Sequence, residues 1–118
     1  MTNTTVPGTP FLAAAALAGP LDDWGPLDEA TGDPMLTSGK TLWSDGDQEV
    51  GVWECTPGPS RWSLETNEAV HIVSGRMTVC PEGGTSRDVG PGDTAVFPRG
   101  WQGTWQIHET VRKLYVVF

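Results

Sequence analysis

Glu68-Ala69-Val70-His71-Ile72-Val73-Ser74-Gly75 and Gly92-Asp93-Thr94-Ala95-Val96-Phe97-Pro98-Arg99-Gly100 are the two stretches that decide the fold. Each is a short apolar run closed by glycine, the residue that admits the positive φ of a tight turn. Gly90-Pro91-Gly92-Asp93 places Pro second and Gly third, as a type II turn requires. Pro81-Glu82-Gly83-Gly84 reads as a hairpin tip, and Thr56-Pro57-Gly58-Pro59 as a strand break, because two prolines remove ladder donors. Between these turns lie strand-like runs at about 38–44, 48–56, 61–64, 69–74, 76–80, 85–89, 93–97, 102–107 and 112–118. Many short strands with frequent turns predict an all-β sandwich or barrel. Gly75 is expected at a turn between two strands, and His108-Glu109-Thr110 at a turn before the last one.

Composition agrees. The chain has 118 residues, 15 glycines and 10 prolines, which suits one domain with few helices. Residues 1–19 read as a flexible N-terminal lead-in, with a short helix or packing arm in the apolar run Phe11–Ala18. Residues 20–118 read as a single domain whose first part, to about residue 37, is an irregular arm around the barrel. The run at 11–18 has no Lys or Arg before it and falls far short of the roughly 20 residues that span a bilayer. No export signal is recognised, so a cytoplasmic location is expected. The net charge of −8 and the lack of a basic cluster argue against nucleic acid and against an acidic membrane surface. Cys55 and Cys80 fall in strand-like runs and are read as buried thiols rather than a disulfide framework or zinc ligands.

The two stretches resemble the paired motifs of cupins, G-x5-H-x-H-x3,4-E-x6-G and G-x5-P-x-G-x2-H-x3-N. Gly51-Val52-Trp53-Glu54-Cys55-Thr56-Pro57-Gly58 and Gly103-Thr104-Trp105-Gln106-Ile107-His108, with Gly32-Asp33-Pro34 and Gly39-Lys40-Thr41-Leu42-Trp43, are similar to the small cupins grouped with ureidoglycine aminohydrolase and ethanolamine-utilisation proteins. The resemblance covers about residues 20–118. It implies a double-stranded β-helix, a jelly-roll-like barrel, and a homodimer paired through sheet edges such as Leu114–Phe118 or the N-terminal arm.

The resemblance also locates the family's metal ligands, and most are missing. The two histidine positions hold Trp62 and Leu64 under one spacing, or Arg61 and Ser63 under the other. The third falls on Gly103. Only Glu68 survives, and transition metals want imidazole, carboxylate or thiolate around them. No metal cofactor is therefore expected; were one held, Mn, Zn or Fe would sit near Glu68. His71, three residues beyond Glu68 on a strand, should face the other way.

Alternation gives the expected lining. If Glu68 faces inward, Val70 and Ile72 do too; if Gly103 does, so do Trp101 and Trp105, with a gap between their indoles at the glycine. Arg61, Trp62 and Leu64 complete the candidate pocket. Three readings follow. Glu68 can be the acid/base of a metal-independent isomerase, lyase or hydrolase acting on a small amine- or carbonyl-bearing metabolite. The aromatic barrel can be a non-catalytic binding or sensing module. A metal-dependent aminohydrolase-like enzyme is the third. Against all three stands a plain core, with Glu68 paired to an arginine such as Arg61. Tyr115 and Lys113 share a face, and a Lys113 directed inward would meet a carbonyl.

Overall fold

Two long strands organise the chain, β5 (Glu68–Pro81) and β8 (Gln102–Val117), paired antiparallel along their length in the computed structural model. The structure describes residues 17–118, so the helix expected in the apolar run from Phe11 lies, apart from Leu17 and Ala18, outside the described residues. The other strands are β1 (Asp22–Pro26), β2 (Leu36–Asp45), β3 (Gln48–Cys55), β4 (Gly58–Ser63), β6 (Arg87–Val89) and β7 (Thr94–Phe97). All pairings are antiparallel: β1-β2-β3-β8-β5-β6 in order, with β4 on β8 and β7 on β5. The described residues contain no helix and form the all-β jelly-roll barrel expected.

Four expectations are corrected. The runs at 69–74 and 76–80 are one strand, as are 102–107 and 112–118, so His108-Glu109-Thr110 lies inside β8 rather than in a turn. Gly75 likewise lies within β5. The segment expected to be irregular carries β1.

The physical reason is a bend shared by the two strands. Register slips between Ile72 and Met77, and Gly75 has φ 85°. A Cβ there would run into the backbone of Thr110. The slip also changes the side-chain phase. Val70 and Ile72 point to the core before the bend, and Met77 and Val79 after it. Both halves of β5 therefore keep their apolar side chains inward, which a regular strand of this sequence would not allow. β8 passes the bend with three consecutive exposed residues at 108–110 and stays in phase: Trp105, Ile107, Val111, Lys113 and Tyr115 are all buried.

The expected turns at 90–93 and 81–84 form. The Asp93 N–H donates to the Gly90 carbonyl at 3.0 Å, with Gly92 at φ 89°. The Gly84 N–H donates to the Pro81 carbonyl at 2.9 Å. Residues 27–35 cover the outer edge of β4, with the Thr31 N–H donating to the Pro59 carbonyl and the Arg61 N–H to the Glu29 carbonyl, both at 3.0 Å. This covering strap suits a strand whose second residue, Pro59, has no N–H to offer. Arg112 ties down the start of the described chain, reaching the carbonyls of Leu17 (3.1 Å) and Gly19 (2.9 Å) and the Glu54 carboxylate.

Candidate functional site

Glu68 opens β5, and Lys113 lies on β8 where that strand pairs with β3 on one side and β5 on the other. Lys113 Nζ donates to Glu68 Oε2 at 2.9 Å, and the two side chains are 4 % and 13 % exposed. The same Nζ sits 4.5 Å from the Trp53 ring centre and 4.6 Å from that of Trp105. Trp53 is the direct cross-strand neighbour of Lys113, which is why it reaches the ammonium. Each cation–π contact contributes about 0.5–2 kcal/mol, more as water is removed. A buried ion pair needs such compensation, because desolvation alone costs several kcal/mol per ion.

Around this pair the indoles form one cluster. Trp105 lies 4.4 Å from Trp62 and 6.3 Å from Trp53, centre to centre, and 5.2 Å from Phe97. Trp62 is anchored by its Nε1, which donates to Ser60 Oγ at 2.8 Å. The buried Trp105 Nε1 has no hydrogen-bond acceptor among the described residues. Trp24, Trp53, Trp62, Glu68, Lys113, Tyr115 and Val117 line a cavity of about 230 Å³. On its wall the Tyr115 hydroxyl donates to Glu49 Oε2, in space left by Gly51, where a Cβ would overlap the phenol. Burial, reinforced by the bond to Glu49 and by its charge, holds the Tyr115 proton well above the usual phenol range.

The expected lining divides. Glu68 and Trp62 line this cavity, while Trp105 stands behind it against Lys113. Val70 and Ile72 face inward as core residues, and Leu64 packs on that core. Arg61 does not join them: it is exposed and pairs with Glu82 at 3.2 Å, so the arginine partner considered for Glu68 is replaced by Lys113. Trp101 turns away, packing on Phe97 at 4.9 Å and lining a separate cavity of about 170 Å³. Nor is there a gap at Gly103. A Cβ on that glycine would meet the Trp101 ring and the Cys80 carbonyl, so close packing dictates glycine there. His71 is exposed, with Nδ1 3.0 Å from Thr94 Oγ1.

Lys113, Trp53, Tyr115 and Trp24 line this cavity and lie outside the lining expected from alternation, although an inward Lys113 is among the sequence readings. Counting by twos along β8 from Trp105 reaches Lys113 and Tyr115, but only because 108–110 is strand and not turn. Cys55, 0 % exposed, lies near enough to feel Lys113. Burial pushes its thiol up to about 11, against a lowering by the Lys113 charge.

The side chains present do not make a transition-metal site. Among the described residues no three of His, Cys, Asp and Glu gather. The carboxylate at the family's glutamate position is engaged by an ammonium, and position 103 has no room for any side chain.

A jelly-roll barrel with a polar pair buried among indoles is a cupin in its architecture. Residues 42–115 match the EutQ-like cupin domain, and the chain belongs to that family. A Pseudomonas syringae pv. tomato protein of unknown function from the DUF861 family is 25% identical with a TM-score of 0.78, over 86% of this chain and 45% of that one. This chain thus spans less than half of that protein's length. A putative ethanolamine utilization protein Q from Salmonella typhimurium shares the fold at 22% identity and a TM-score of 0.66, over 80% of this chain and 76% of that one. A DUF861 family protein from Thermotoga maritima is 34% identical with a TM-score of 0.55, over 57% of this chain and 76% of that one. No curated protein matches the chain. Among the described residues no helix is long and apolar enough to cross a membrane.

Proposed function

We propose that the cavity receives a small carbonyl-bearing metabolite, with Lys113 holding its oxygen and Glu68 moving a proton beside it. The observation that carries this reading is the Lys113–Glu68 pair at 2.9 Å among indoles. An ammonium has three donors. One goes to Glu68, and the others have no protein acceptor among the described residues, only ring faces. A carbonyl oxygen entering the cavity supplies that acceptor. Glu68 keeps Oε1 free of donors among the described residues, so it can take a proton from the carbon next to that carbonyl. The oxyanion that forms is then stabilised by a fixed ammonium in a site shielded from water. This is metal-independent isomerase or lyase chemistry. Of the two ligand types expected from sequence, the amine is disfavoured, because its charge would face the Lys113 ammonium.

The test combines thermal-shift screening of small carbonyl, carboxylate and amine compounds with deuterium uptake from D2O, followed by proton NMR. The expected result is stabilisation by a carbonyl compound that then exchanges its α-protons, with exchange lost in Glu68→Gln. A compound that stabilises the protein and stays unaltered makes the cavity a binding module. Stabilisation by amines alone, or exchange at the wild-type rate in Glu68→Gln, contradicts the proposal.

A further inference from the structure

Trp24 lines the cavity from outside the barrel core. It belongs to β1, a strand of five residues whose ladder contacts, among the described residues, go to β2 alone. Asp23 pairs with Ser38 and Gly25 with Thr37, so Trp24 is the extra residue of a β-bulge and has no partner in the ladder. The bulge is built locally. The Gly25 N–H donates to Asp23 Oδ1 at 2.9 Å, Gly25 takes φ 79°, and Thr37 Oγ1 donates to the Gly25 carbonyl at 2.8 Å. Bulges commonly re-aim a side chain beside a functional site. Here the indole is laid over Gly39, where a Cβ would overlap three of its ring carbons. Gly39 is the cross-strand neighbour of Trp53. The Trp24 ring thus fills the side-chain place that glycine vacates, next to the indole that faces Lys113.

We infer that Trp24 is a detachable cap: it closes the cavity over Lys113 and Glu68, and a substrate enters by displacing it. The assignment of the cavity as the functional site rests on the reading above, but the cap itself does not need the substrate to be known. Trp24 is 42 % exposed and held by this short strand, whereas Lys113, which lines the same cavity, is buried. Few buried contacts hold such an element, so it opens locally without global unfolding. As a wall of indole the cap also sets specificity, favouring compounds with a flat face toward the mouth.

The chain contains two lysines, Lys113 and the exposed Lys40, so acylation of each can be resolved by mass spectrometry with one as reference for the other. Folded protein is treated with acetic anhydride well below its unfolding midpoint, and the Lys113-to-Lys40 acetylation ratio is measured. Trp24→Ala is expected to raise that ratio about tenfold, the equivalent of losing one aromatic contact from the closed state. Gly39→Ala, which keeps Trp24 but evicts it, should raise it similarly, and Trp24→Phe should keep it near wild type. Circular dichroism of each variant verifies the fold. Ratios in Trp24→Ala and Gly39→Ala equal to wild type overturn the cap. A raised ratio with no carbonyl compound bound by wild type leaves the cap standing and removes the proposed substrate.

Discussion

Lys113 Nζ and Glu68 Oε2 meet at 2.9 Å where the second half of β8 lies against the first half of β5. In cupins with a full ligand set, the glutamate position serves a metal; in this chain it serves a cation carried by the protein itself. Two indole faces complete the cation's surroundings.

Breaking that pair from one side should cost far more than removing it from both. Lys113→Met leaves Glu68 shut in without a partner, with an expected loss of about 3–5 kcal/mol in urea unfolding. The double variant Glu68→Gln/Lys113→Met should recover at least half of this, since both charges go together. Additive losses in the double-mutant cycle would show that the two side chains act independently.

Alkaline pH should destabilise the fold through Cys55 and Tyr115. Burial raises the Cys55 thiol from 9.0 to about 11. The folded protein then holds a proton that the unfolded chain has already released, so stability is full below pH 9 and falls as pH rises toward 11. The slope approaches about 1.4 kcal/mol per pH unit for this one group. Tyr115 is shifted in the same direction and adds to the fall above pH 10. Cys55→Ala should lower stability at neutral pH by leaving a small cavity, yet flatten the slope between pH 9 and 11. An unchanged slope in denaturation curves across that range would contradict the assignment.

Two glycines with similar φ should respond very differently to alanine. Gly83, at φ 71° in an open turn, has nothing near a new Cβ, so Gly83→Ala should cost about 1–2 kcal/mol of backbone strain. Gly75, at φ 85°, would drive its Cβ into the Thr110 backbone and should cost more than about 3 kcal/mol. Guanidinium unfolding midpoints compare them directly, and equal losses would remove the shared bend from the account of the fold.

That contrast also explains what could be read in advance. Turn chemistry is local, so Gly90-Pro91-Gly92-Asp93 declared its turn without help from the rest of the chain. Gly75 declared only a positive φ. Whether that φ ends a strand or bends one depends on Thr110, thirty-five positions away, and no local pattern carries that. The polar triplet His108-Glu109-Thr110 looked like a turn for a related reason. At the bend all three face solvent, and the two-residue alternation that marks a strand disappears.

The same limit governed the site. Glu68 and Trp62 were legible because motif spacing and alternation both point to them. Lys113 was legible only as a conditional, inward-turned residue, since a lysine on a strand is ordinarily at the surface, and its burial follows from the register that sets Trp53 beside it. Arg61 and Trp101 were misplaced by pairing and packing. A surface acid, Glu82, takes the guanidinium, and Phe97 takes the indole. Trp24 reaches the cavity through a bulge, which shifts a side chain by one residue against any count.

The most direct measurement is a thermal-shift comparison of wild type with the Glu68→Gln/Lys113→Met variant against the same set of small carbonyl and carboxylate compounds. A cavity that works through its internal ion pair predicts that a carbonyl or carboxylate compound raises the midpoint of wild type and leaves that of the double variant unmoved. Equal shifts in both proteins would contradict it, because binding would then owe nothing to the ammonium and carboxylate at its centre.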